Sequence, residues 1–138
     1  MNQKVMIVGL DGGPWALLNN WVSNNKLPTF KRVMNQGSKG ILKSTIPCTT
    51  FPAIPSMLTG MSPGNLGVFS FINYKGSLLT MSDIEYPKIW NILSNHNYTS
   101  CIVNVPATFP PEKLDGIMIS GWVPGEKNKY TYPERLQC

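Results

Sequence analysis

Charged side chains are scarce in this sequence. They make up 14% of its 138 residues, against about 25% in average domains. A shortfall of that size leads us to expect that part of the surface is covered by something other than solvent. Histidine is nearly missing: His96 stands alone, in a polar run after an expected helix, where a solvated or capping role is the ordinary one. No Ser-His-Asp set can be assembled around it. Cysteine is sparse and odd in number, at Cys48, Cys101 and Cys138. That excludes a disulfide framework and a zinc knuckle. The three read as small apolar side chains in a reduced, cytoplasmic setting. No apolar run is long enough to span a bilayer, and residues 1–13 lack the pattern of a signal peptide. There is no Walker loop. Gly9-Leu10-Asp11-Gly12-Gly13 does not have the glycine spacing of the dinucleotide fingerprint.

The charge that is present is mostly positive, at net +5. Such a field would steer a small anionic substrate. The basic residues nowhere cluster beyond Lys31-Arg32, so a nucleic-acid polymer is not an expected partner. Hydrophobic residues at 42% and aromatics at 10% fit a folded globular chain with one core. Residues 4–10 are almost continuously apolar and predict a strand buried on both faces. A helix follows from Pro14, with Trp15, Leu18 and Val22 on one face. A second starts near Pro28, carries Leu27, Phe30, Val33 and Met34 at helical spacing, and ends at Gly37. Residues 40–46 predict a second strand. The next helix enters at Thr49-Thr50-Phe51-Pro52, buries Ile54, Met57 and Leu58, and stops at Gly60. Residues 63–76 read as a loop with extended pieces. Residues 88–95 predict a helix with Ile89, Ile92 and Leu93 inward, and residues 100–105 and 116–123 two more buried strands. Alternating strands and helices imply an α/β fold with a mostly parallel sheet and helices on both faces. Pro133 opens a final helix that the chain leaves about one turn in, as expected of a truncated piece of a longer domain.

Two residues stand out chemically. Asp11 falls just past the carboxyl end of the first expected strand, the edge where parallel sheets bind ligands. Two glycines after it leave room for a cation or a phosphate, although an aspartate there also serves to cap a helix. Thr50 lies directly before a helix with Pro52 in its first turn. Its hydroxyl would stand at the positive end of the helix dipole, beside backbone amides able to bind a phosphoryl group. An N-cap threonine accounts for the same pattern. Thr49, Thr45 and Ser44 are nearby hydroxyls with weaker placement. The remaining acids, Asp83, Glu85, Glu112, Asp115, Glu126 and Glu134, sit in polar, loop-like contexts and none pairs with Asp11.

Taken in order, Val8-Gly9-Leu10-Asp11-Gly12, Leu27-Pro28-Thr29-Phe30-Lys31-Arg32, Gly37 and Ser44-Thr45-Ile46-Pro47 resemble the opening of one family. Thr50-Phe51-Pro52-Ala53 and Leu58-Thr59-Gly60, then Pro63 and Gly67, resemble its nucleophile helix and following loop. Asn104-Val105-Pro106, Pro110-Pro111, Ser120-Gly121 and Tyr132-Pro133 resemble later landmarks. The family is the type I phosphodiesterase/nucleotide pyrophosphatase branch of the alkaline phosphatase superfamily. The resemblance implies that residues 1–138 are the N-terminal part of an alkaline-phosphatase-like catalytic domain, incomplete at the C-terminus. It also implies hydrolysis of small phosphoric esters with two divalent metal ions, usually zinc. Asp11 would bind one metal. Thr50 would bind the same metal and attack phosphorus, forming a covalent phospho-threonine.

The sequence departs from that pattern in two places. Ala53 stands where the nucleotide pyrophosphatases carry an asparagine that contacts phosphate, which puts a nucleotide substrate in question. A single histidine cannot complete two zinc sites, and Asp11 with Thr50 falls short of the three protein ligands of a catalytic zinc. The remaining ligands are expected outside this sequence, and these residues alone are expected to be inactive or nearly so. A superfamily phosphotransferase using the same threonine, or a non-catalytic α/β module in which Asp11 and Thr50 are only caps, would fit the same local pattern.

Overall fold

The computed structural model describes residues 4–122 and 129–136. The predicted Val123 end of a strand, the acid Glu126 and Cys138 lie outside the described residues. The chain divides into two compact units, residues 1–43 and 44–138, and no described helix is long and apolar enough to cross a membrane.

The first unit holds two helices, α1 (Trp15–Ser23) and α2 (Pro28–Gln36), which pack on each other. Pro14 is the N-cap of α1, outside the helix rather than in its first turn. Pro28 at the first position of α2 has the fixed φ a helix start favours. Trp15, Leu18 and Val22 are half-buried, as their spacing predicts, and so are Leu27, Phe30 and Met34. Gly37 caps α2 in an extended conformation, with its N–H on the Val33 carbonyl at 2.9 Å. The expected strands over residues 4–10 and 40–46 do not form, and the apolar side chains stay in solvent: Val5 is 86% and Met6 87% exposed. A strand exists only with a partner ladder, and neither segment has one among the described residues.

The second unit contains the core. Helix α3 (Thr50–Thr59) buries Phe51, Pro52, Pro55 and Leu58 and ends at Gly60, whose φ of 75° suits a residue without a Cβ. Met57, expected inward, is exposed. The buried face passes instead through the two prolines, which cannot donate at positions 52 and 55 and serve here as packing volume. A short helix α4 (Pro63–Leu66) interrupts the expected loop; the Ser62 hydroxyl caps it by accepting from the Asn65 amide. Helix α5 (Ile89–Asn95) is rotated from its predicted face: Trp90 is fully buried, while Ile89 and Ile92 are exposed. The largest apolar side chain takes the core, where its indole N–H finds a partly buried acceptor, Glu112.

Strands β1 (Ser100–Val105) and β2 (Gly116–Ser120) pair in parallel, and β3 (Thr131–Tyr132) pairs antiparallel to β2. The described sheet is therefore mixed and three-stranded, in order β1-β2-β3. A two-residue strand carries no periodicity, which is why the sequence gives no sign of it. Phe51, Leu58, Val68, Leu79, Met81, Ile84, Trp90, Ala107, Leu114 and Met118 form one apolar cluster behind α3 and the sheet.

An ion pair is built into this unit. Lys88 Nζ lies 2.9 Å from Glu112 Oε1, with both side chains largely buried. Glu112 Oε2 accepts from Trp90 Nε1 at 2.9 Å and from Asn91 Nδ2 at 3.2 Å. Burial pushes the Glu112 carboxyl up. The hydrogen bonds from Trp90, Lys88 and Asn91 and the Lys88 charge outweigh it, so the group titrates below its usual range.

Candidate active site

The site grows from the start of α3. Thr49 is the N-cap, in extended conformation, and its side chain makes no capping hydrogen bond. Thr50 is therefore the first helical residue rather than the cap. Pro52 has no N–H, and the Ala53 N–H is taken by the Thr49 carbonyl at 3.2 Å. Phe51 supplies the other amide of the first turn after Thr50. Half-buried Thr50 lines an open cleft of about 290 Å³ with Thr49, Phe51, Phe69, Ser70, Phe71 and Trp122. Phe51 is the hub of the aromatic wall: its ring centroid lies 5.0 Å from Trp122 and 6.3 Å from Phe71. Behind Phe51 and Trp122 a second, apolar recess of about 200 Å³ is lined by Leu78, Leu79, Ala107, Phe109 and Pro110.

Phe71 accepts from the Leu79 amide at 2.8 Å, in a hairpin turned by Asn73, whose side chain accepts from the Lys75 and Ser77 amides. Trp122 follows β2 and Gly121, and Gly121 is held by Thr108, which is 1% exposed. The Thr108 hydroxyl donates to the Val105 carbonyl at 2.7 Å and accepts from the Gly121 amide at 2.9 Å. The Ser120 hydroxyl donates to the Thr108 carbonyl at 3.0 Å. A Cβ on Gly121 would come within 2.5 Å of the Val105 carbonyl oxygen, so only glycine lets the chain pass here. Trp122 then takes a φ of 58°, a region that non-glycine residues rarely occupy.

Asp11 belongs to the first unit. It is exposed at a turn that ends the apolar run, with Gly12 at a φ of 68°. It is not the N-cap of α1, which is Pro14. Among the described residues no group of three or more His, Cys, Asp or Glu side chains could hold a metal ion. These residues therefore do not by themselves fit a complete catalytic zinc set. His96 caps the C-terminus of α5, with its amide on the Leu93 carbonyl at 3.0 Å. Cys48 and Cys101 are free thiols.

The sequence reading misses Phe69, Phe71 and Trp122. Nothing local marks them, because they meet Thr50 only through the hairpin and the end of β2. No curated protein and no solved structure matches the chain. The model of the type I phosphodiesterase / nucleotide pyrophosphatase family matches residues 5–136, nearly the whole length. The chain belongs to the type I phosphodiesterase / nucleotide pyrophosphatase family, in the alkaline phosphatase superfamily.

Proposed function

We propose that this chain supplies the nucleophile and one metal ligand for metal-dependent hydrolysis of a phosphoric diester or pyrophosphate bond. Membership of a phosphodiesterase/pyrophosphatase family sets the reaction type. The observation that carries the site assignment is the position of Thr50. It is the first residue of α3, it lines a cleft, and Thr49 already occupies the cap position. The Thr50 hydroxyl gives up its proton as its oxygen attacks phosphorus, the bond from phosphorus to the leaving oxygen breaks, and a phosphoryl-threonine forms that keeps the second substituent of the substrate. Water then cleaves the new phosphorus–oxygen bond and restores the hydroxyl. The Phe51 amide and the α3 dipole favour the negative charge that gathers on the phosphoryl oxygens.

A threonine hydroxyl is a weak nucleophile at neutral pH. Two divalent ions, zinc by preference, would lower its pKa and bind phosphate oxygens, with Asp11 as one ligand. Residues 1–43 carry six cations and one acid, Asp11, so the attraction for an anionic ester is concentrated in that unit. The rest of the ligand set belongs in this reading to residues outside this sequence.

The test is zinc-dependent hydrolysis of a p-nitrophenyl phosphodiester against the monoester by a protein in which these residues are joined by the remaining metal ligands, with Thr50→Ala beside it. Loss of turnover in the variant supports the assignment, and full activity removes it.

A further inference from the structure

The parallel pairing of β1 and β2 shifts register between Val103 and Val105, near the end of both strands. Asn104 and Ala107 take φ values of 54° and 64° there, so the backbone leaving β1 turns away from regular strand geometry. Thr108 ties the two strand ends together beyond that point. Its hydroxyl donates to the Val105 carbonyl at 2.7 Å, at the end of β1, and accepts from the Gly121 amide at 2.9 Å, just past β2. Both Thr108 and Gly121 are buried, and a buried N–H that loses its acceptor is costly to leave unmade. The next residue, Trp122, sets its ring centroid 5.0 Å from that of Phe51. Phe51 is 4% exposed and directly follows Thr50 in the first turn of α3. A displacement of Gly121 therefore reaches Thr50 through two packed rings and one peptide unit, and close-packed interiors transmit such shifts.

We propose that Thr108 is a positioning residue for Thr50: its hydroxyl fixes Gly121, and Gly121 fixes the Trp122 ring against Phe51 at the start of α3. The inference rests on the reading of Thr50 as the residue that attacks phosphorus. The role belongs to the hydroxyl and not to the methyl group. Valine keeps the volume of Thr108 but loses both hydrogen bonds, whereas serine keeps both bonds and loses only the methyl. A side chain that merely fills the core would give the opposite order, with valine the better replacement.

The test has two readings. In the 138-residue chain, the Thr50 amide and Phe51 ring resonances are compared between the native protein, Thr108→Ser and Thr108→Val. In a protein where these residues are joined by the remaining metal ligands, kcat and KM are measured with zinc on a p-nitrophenyl phosphodiester. Thr108→Ser should keep the native resonances and turnover. Thr108→Val should move both resonances and lower kcat about tenfold with KM within about twofold, because misplacing the reacting oxygen costs rate rather than binding. Thr108→Cys, a weak donor and acceptor, should fall between the two, and it carries the test if the valine variant does not fold. Unmoved Phe51 resonances in Thr108→Val, native kcat in the valine or cysteine variant, or a serine variant as slow as the valine one overturns the positioning role. Those results leave the nucleophile assignment standing, since that assignment falls only if Thr50→Ala is fully active.

Discussion

Trp90 donates its indole N–H to Glu112 across 22 residues of sequence, at 2.9 Å. That bond orients α5 in the second unit and holds the partner of Lys88 in place. Replacing Glu112 by alanine leaves the Lys88 ammonium and the Trp90 N–H without it. The expected loss is about 3 kcal/mol, the size typical of breaking a buried pair. The melting temperature should fall by roughly 10 °C, which a thermal melt followed by circular dichroism would measure. A change within about 2 °C would show that the pair does not hold α5.

The same carboxylate predicts a pH dependence. Burial raises its pKa, but the Trp90, Lys88 and Asn91 hydrogen bonds and the Lys88 charge hold it below the ordinary 4.5. A group depressed in the folded state stabilises the fold fully above its unfolded value. That stabilisation is lost as pH falls through the folded value. Urea midpoints should therefore drop more steeply below about pH 4.5 in the native chain than in Glu112→Gln. The variant should be the weaker protein near neutrality and lose its disadvantage in acid. Parallel curves would contradict the assignment.

Gly116 opens β2 with a φ of 135°, and a Cβ there would collide with the backbone of Ser100 on β1. Gly116→Ala should cost about 2–4 kcal/mol, because both the conformation and the space exclude a side chain. Denaturant unfolding reads this directly. Exposed Gly76, which has open space around it, supplies the control and should lose less than half as much.

The legible parts of the fold are those fixed by neighbours in sequence. Gly60 stops α3 where the pattern places it, and Thr50 stands out because a hydroxyl precedes Pro52 at a helix entry. β1 and the start of β2 follow from their apolar runs. What the sequence hides depends on distant partners. Residues 4–10 read as a buried strand, yet burial needs a neighbour that an apolar run cannot specify. The face of α5 is set by Glu112, far along the chain, so a count of apolar spacing misses the turn toward Trp90. The aromatic wall beside Thr50 comes from positions 51, 69, 71 and 122, which no local window joins.

Metal binding gives a fourth prediction. No described cluster of three ligand side chains exists, and catalytic zinc takes three protein ligands. The 138-residue chain alone should therefore bind zinc only weakly, with a dissociation constant above about 10 μM, equivalent to ~7 kcal/mol or less. Its phosphodiesterase activity should be close to background. Competition with a chromogenic chelator measures the affinity. Nanomolar zinc retention by this chain would contradict the proposed division of ligands.

The central claim is that Thr50 carries the phosphoryl group. The direct measurement is acid quenching of a protein in which these residues are joined by the remaining metal ligands, loaded with zinc, during turnover of a p-nitrophenyl phosphodiester, followed by peptide mass spectrometry. The account predicts a phosphoryl adduct, still carrying the second ester group of the substrate, on the peptide beginning α3, localised to Thr50 and missing from Thr50→Ala, whose turnover should fall by roughly a thousandfold or more. An adduct on Thr49 or elsewhere, or full turnover in Thr50→Ala, would contradict it.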